Sequence, residues 1–245
     1  MGQADWADLD NALAEADLQR GVTAGVTPPP GAGNFVYGYN SVSNEVIGAH
    51  GKYVDLADFN PTGSGPSVAD GGGSVRGCVK RVGSPGNTGM TPMLFFCCQD
   101  NPPSVNSVAY ILGLSDADPY EITLVKGIIS SGIVADDENV TILRSSSAQY
   151  SMGDDLWHHL RLDAIVQPNG DVLLQVFANN LTTNPLGSTP SWQPIAGMAD
   201  YIDDAKRINT NSEPLLGGFV GWAFAVSNSL NRRGAFKAIQ AYRVT

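Results

Sequence analysis

Two adjacent histidines, His158 and His159, lie in the stretch WHHLRLDAIVQPNGDVLLQVFANN, Trp157 to Asn180. Imidazole is the commonest metal ligand and a frequent general base, so chemistry is sought here first. Successive side chains of a strand point to opposite faces. In an extended chain the two rings therefore cannot grip one ion without a bulge, and only His50 remains as a third histidine. The expectation is one packed and one exposed histidine. Adjacent acids occur at Asp136–Asp137 and Asp154–Asp155, where loop sequence favours solvated turns. A nucleophile elbow G-x-S-x-G is absent, and the Gly-rich GSGPS and GGGS runs lack the lysine that a phosphate loop needs. Sugar binding calls for an aromatic platform beside Asn and Asp hydrogen-bonders. Trp192, in TPSWQPI, is the one tryptophan outside the clear helix and strand patterns, and is the candidate carbohydrate-binding residue.

The elements that would position these residues are mostly strands. In LWHHLRLDAIV, Leu156, His158, Leu160, Leu162, Ala164 and Val166 share one face, and Trp157, His159, Arg161, Asp163 and Ile165 the other. QPNGD is a turn, because Asn-Gly tolerates positive φ. DVLLQVFAN returns with Val172, Leu174 and Val176 opposed to Leu173, Gln175 and Phe177, which predicts an antiparallel hairpin inside a sheet covered on both sides. TPMLFFCCQ reads as a central strand, SVRGCVKRV as a poorly segregated edge strand, and SVAYILGLS, YEITLVKGII and ENVTILRSS as further strands. GGFVGWAFAVS is a buried strand, and AFKAIQAYRV is a last strand expected beside the N-terminal one.

Only the front differs. In DWADLDNALAEADL the residues Trp6, Leu9, Leu13 and Ala16 trace one helical stripe, with Asp5 as N-cap and Gly21 as stop. The following GVTAGVTPPPGAGNF is an extended arm, since a Pro run cannot donate to a ladder. The chain thus divides into residues 1–33, a helix and Pro-rich arm, and residues 34–245, a β-sandwich. Trp6, Leu9 and Leu13 are candidate subunit-docking residues for a homo-oligomer. Deleting residues 1–33 is expected to leave a folded domain that no longer docks.

Bulk properties agree. The 245 residues suit one large all-β domain, and 16% charged residues with 28 Gly and 15 Pro favour strands and turns over surface helices. A net charge of −10 without any basic run argues against a nucleic-acid partner. No window approaches a membrane span, and the acidic opening MGQADWADLD lacks an apolar signal region. Three cysteines, Cys78, Cys97 and Cys98, are an odd count and do not make a disulfide framework.

The order of a Trp-His strand, a PNG turn, a returning strand, GGFVGWAFAVS and a terminal AFKAIQAYRV resembles the second half of concanavalin A-like or laminin G-like jelly rolls. The positions that carry the resemblance are Trp157, His159, Leu160, Asn169, Gly170, Gly218, Phe219, Gly221, Phe236 and Ile239. It implies an all-β antiparallel jelly-roll sandwich. That architecture hosts lectins, hydrolases and structural modules alike. The hydrolases among such jelly rolls carry E-x-D-x-E or E-x-D-x-x-E on one strand, and none of Glu15, Glu45, Glu121, Glu138 and Glu213 opens either pattern. The resemblance also implies a place for calcium at a sandwich rim, with Asp116, Asp118, Asp136, Asp137, Asp154 and Asp155 as loop acids, although no D-x-D-x-D-G loop occurs. The opening ADWADLDNALAEADLQRGVTAGVTPPPGAGNFVYGYNS is similar to the start of structural proteins of tailed bacteriophages. Together these imply a non-enzymatic virion protein of capsid, neck or tail, with other virion proteins as partners. A lectin-like module for host-surface glycan is the alternative, and a divergent glycan hydrolase a third.

Overall fold

The computed structural model describes residues 7–8, 30, 37–41, 46–55, 72–82, 91–99, 108–114, 121–128, 140–146, 156–204, 213–225 and 232–243. Every regular element among them is a strand. The first sheet holds β1 (Ala7–Asp8), β3 (Val46–Asp55), β5 (Thr91–Cys98), β6 (Val108–Leu114), β7 (Ile122–Ile128), β8 (Val140–Ser145) and β13 (Gly217–Ala225), in the order β1-β3-β13-β5-β6-β7-β8. The second holds β2 (Tyr37–Ser41), β4 (Gly72–Val82), β9 (Trp157–Val166), β10 (Val172–Asn179), β11 (Trp192–Pro194) and β14 (Arg232–Arg243), in the order β11-β10-β9-β4-β14-β2. A short β12 (Tyr201–Asp203) also pairs with β10. All pairs are antiparallel. The core lies between the sheets. Val75, Val79, Leu160, Leu162, Ala164, Val172, Leu174, Val176 and Phe236 face Leu94, Phe96, Tyr110, Leu112, Leu124, Val220 and Trp222.

The PNG hairpin forms as the alternation predicts, with Val166 opposite Val172 and His159 opposite Asn179. Its turn uses positive φ only at Gly170, φ 88°. Gly170 N–H donates to the Gln167 carbonyl at 2.9 Å and Gln167 N–H to the Asp171 carbonyl at 2.8 Å. This is a type I turn closed by a left-handed residue, the usual three-residue hairpin loop. The last strand β14 does lie beside the N-terminal β2.

One expectation is corrected. SVRGCVKRV is β4 at the centre of its sheet, between β9 and β14. Its outer-face cations are engaged by other strands: Lys80 is buried with its ammonium 5.9 Å from the Trp157 ring centre, and the half-buried Arg76 donates from Nε and Nη2 to Gln240 Oε1 at 2.9 and 2.7 Å. At the front, Ala7 and Asp8 are extended and pair with His50 and Ala49. The other residues of the stretch expected to be helical lie outside the described residues. Trp6, Leu9 and Leu13 lie outside the described residues. Pro30 accepts a hydrogen bond from Leu186 N–H at 2.8 Å, so at this residue the Pro-rich arm is tied to the body.

All three cysteines are buried and free of disulfide bonds. Cys97 has φ 57°, in the left-handed region. The register between β5 and β13 shifts here, from Phe219–Cys98 to Gly221–Phe95, so β5 carries a bulge.

Candidate functional site

At one end of the second sheet two short strands, β11 and β12, both pair along the outer edge of β10. β11 pairs with residues 177–179 and β12 with residues 172–174. Between the start of β9, the end of β10, the loop at 180–184 and β11 lies a cleft of about 680 Å³. Trp157, His159, Asn180, Thr182, Asn184 and Gln193 are among the residues that line it.

The loop takes its shape from side-chain hydrogen bonds to its own backbone. Asn180 Oδ1 accepts from Thr182 N–H at 2.9 Å, a local turn of the type Asn favours. The Asn180 carbonyl accepts from Asn184 N–H at 2.8 Å and from the Thr183 hydroxyl at 3.3 Å. Leu181 is buried and anchors the loop from below.

Asn179 joins the walls. Its Nδ2 donates to the Asn184 carbonyl at 2.9 Å, and its Oδ1 accepts from Ser191 N–H at 2.9 Å. Those two bonds fix which way the amide points, since a backbone carbonyl can only accept and a backbone N–H can only donate. The same Nδ2 lies 3.1 Å from His159 Nδ1. His159 Nδ1 must therefore be the acceptor, and the proton of the neutral ring sits on Nε2.

On the outer face of the sheet the His159 ring meets Trp192 edge-on, with centroids 4.6 Å apart and planes at 63°. The Arg161 guanidinium lies 5.1 Å from the Phe177 ring centre and 5.8 Å from that of Trp192. It also grips the buried Asp163 carboxylate with two bonds, Nε to Oδ1 at 2.7 Å and Nη2 to Oδ2. Trp192 is thus part of β11, not of an open loop; its half-buried indole packs on the His159 ring and is not among the residues that line the cleft, whereas its neighbours Ser191, Gln193 and Pro194 are.

Both histidines are buried, against the expectation of one packed and one exposed. His158 faces the core side, and His159 on the other face is covered by β11 folding back over β10. Burial pushes both imidazoles down from 6.5 to about 4, and for His159 the Arg76 charge adds to the effect. The unfolded chain therefore takes up protons below pH 6.5 while the folded chain stays neutral until about pH 4. Stability from these groups is complete above pH 6.5 and is lost as the pH falls toward 4. At its full extent the loss is about 3 kcal/mol per histidine. We expect the thermal midpoint to drop between pH 6.5 and pH 5, and to drop less in His158→Leu. An equal drop in that variant contradicts the assignment.

No cluster of three or more His, Cys, Asp or Glu suited to a metal ion occurs among the described residues. Asp116, Asp118, Asp136, Asp137, Asp154 and Asp155 lie outside them. No described helix is long and apolar enough to cross a membrane. The described lining of the cleft supplies amides, hydroxyls and an indole, and contains neither a carboxylate nor a cation. Such a set can donate to and accept from hydroxyl groups and can stack on an apolar ring face. The loop NNLTTN, residues 179–184, was not singled out from the sequence. Its signal is a run of amide and hydroxyl side chains directly after a strand.

No protein-family model and no curated protein sequence matches the chain. Solved structures do. The carbohydrate recognition domain of Emp46p in its potassium-bound form is similar over 99% of this chain and 90% of that one, at 10% identity and a TM-score of 0.52. The metal-free form of the same domain gives 14% identity and a TM-score of 0.50, over 99% and 89% of the two chains. A legume lectin-like domain from Entamoeba histolytica has 9% identity and a TM-score of 0.46, with 99% and 91% covered. At these identities the likeness concerns the fold: the chain is an all-β antiparallel sandwich of two sheets, of the lectin-like jelly-roll kind expected from its sequence.

Proposed function

We propose that this protein is a lectin-like carbohydrate-binding module and that the cleft between β9, β10 and β11 is its binding site. The observation that carries the reading is the cleft lining, in which Asn180, Thr182, Asn184 and Gln193 present amide and hydroxyl groups beside the Trp157 indole. A sugar offers hydroxyls that both donate and accept, with apolar C–H faces between them. Small-molecule sites commonly combine an aromatic wall with a few placed polar groups. The fold shared with a carbohydrate recognition domain supports the same reading. Cleavage of a glycosidic bond needs a flanking carboxylate pair. The described lining offers none, which favours binding over hydrolysis.

The test is binding to a broad glycan array. Trp157→Ala removes the indole that lines the cleft and is expected to weaken binding at least about tenfold, since a buried aromatic contact contributes about 1–3 kcal/mol. Gln193→Ala alters an exposed side chain that bonds only the Ser191 hydroxyl, at 3.2 Å, and is expected to cost about three- to tenfold without loss of fold. Silence across diverse glycans, or unchanged binding in both folded variants, overturns the proposal.

A further inference from the structure

We infer that the cleft takes an uncharged saccharide and holds it without a metal ion; this rests on the glycan reading above and narrows it to a ligand class. Among the described residues that line the cleft, which run from Leu156 to His159 and include the loop 180–184 and Gln193, there is no Asp, Glu, Lys or Arg. The nearby cations on the outer face are engaged elsewhere. Arg161 is clamped on Asp163 and lies against Phe177 and Trp192, Arg76 is bonded to Gln240, and Lys80 is buried against Trp157.

A sialate, uronate, sulfate or phosphate group entering this cleft would lose hydration with no charge on the described lining to meet it, a cost that disfavours charged groups at unpaired sites. A hard divalent ion takes 6–8 oxygen ligands, carboxylates foremost, and the described lining brings only amide, hydroxyl and backbone oxygens.

The polar groups instead suit hydroxyls. Asn180 spends Oδ1 on Thr182 N–H, which leaves its Nδ2 to donate outward. Asn184 spends Nδ2 on the Thr183 hydroxyl at 3.0 Å, which leaves Oδ1 to accept. Gln193 spends Nε2 on Ser191 and likewise keeps Oε1. One donor and two acceptors on three residues match vicinal sugar hydroxyls, each of which can answer either role. The two imidazoles add no charge at neutral pH, being held neutral by burial.

The experiment compares neutral hexose-terminated glycans with sialylated, uronate-containing, sulfated and phosphorylated ones, for the intact chain in calcium buffer and in EDTA. An Asp154→Asn/Asp155→Asn double variant is included, because these acids directly precede Leu156 in the sequence. Binding confined to neutral glycans, within about twofold in EDTA and in the double variant, is the expected result. Preference for acidic glycans overturns the inference and leaves the glycan reading intact. So does a loss of about tenfold or more in EDTA that calcium restores. Failure to bind any glycan removes the glycan reading and this inference with it.

Discussion

Gly218→Ala is expected to destabilise the fold by at least about 3 kcal/mol, a large part of the 5–15 kcal/mol that typically holds a domain together. A Cβ at this position would lie 2.3 Å from the Cys98 carbonyl oxygen, 2.4 Å from the Cys97 carbonyl carbon and 2.6 Å from Cys98 N. All three are backbone atoms of the neighbouring β5, at the bulge where its register with β13 shifts. No flexible side chain can give way. The residue also has φ 147°, which L side chains rarely adopt. Overpacking and backbone strain each cost about 1–3 kcal/mol, and here they act together. Gly170→Ala is the control. It also has positive φ, 88°, but meets nothing within 4 Å, so only the left-handed cost of about 1–2 kcal/mol is expected. The shift in chemical unfolding midpoint measures both. Equal shifts in the two variants would refute close packing of β13 on β5.

The second large effect concerns a charge pair inside the sandwich. Tyr110 and Lys126 stand opposite each other on β6 and β7 and reach across to Asp203 on β12. Lys126 Nζ lies 2.8 Å from Asp203 Oδ2 and also donates to the Glu213 carbonyl. The Tyr110 hydroxyl donates to Asp203 Oδ2 at 2.6 Å and accepts from Leu215 N–H at 2.9 Å. Burial, then the Asp203 charge, pushes the phenol well above its ordinary value, so it remains a donor. The side chains of both ions are 3% exposed, so neither can fall back on water. Asp203→Ala leaves the ammonium buried and uncompensated, and is expected to cost about 3–5 kcal/mol. Replacing both ions, Lys126→Met with Asp203→Leu, is expected to recover most of that loss, because an apolar pair needs no desolvation. Chemical unfolding of the two variants decides it. A cost under about 1 kcal/mol for Asp203→Ala would mean that the pair is hydrated in solution.

These residues also mark where sequence reasoning stops. Strand periodicity located the hairpin from Trp157 to Asn179, the buried GGFVGWAFA strand and the closing strand, because each shows its own alternation or its own turn residues. It placed SVRGCVKRV at an edge because neither face is clean: Arg81 stands with Val75 and Val79, and Arg76 and Lys80 stand with Cys78 and Val82. Gln240, 164 positions from Arg76, supplies its hydrogen-bond partner, and Trp157, far along the chain from Lys80, covers the ammonium. Parity within a strand carries no information about such partners. The histidines followed the same course: opposite faces were right, and the exposed one is buried by Trp192, 33 positions away from it in sequence. β11 and β12, three residues each, are too short to show a period. The contact of Lys126 with Asp203, 77 positions apart, leaves no local trace. At the site, the residue singled out by type, Trp192, lies beside His159 and not in the cleft lining, and the amides that form the cleft were legible only as composition. The particle-docking role expected of Trp6, Leu9 and Leu13 remains a proposal, to be tested by deleting residues 1–33 and following assembly.

The most direct test is an NMR titration of the protein with the best-binding saccharide from the array. Perturbations are expected at the Trp157 indole N–H, at the side-chain amides of Asn180, Asn184 and Gln193, and at the backbone of residues 180–184, with little change along β6, β7 and β8. Shifts clustered on those three strands of the first sheet, with residues 180–194 silent, would contradict the assignment of the cleft.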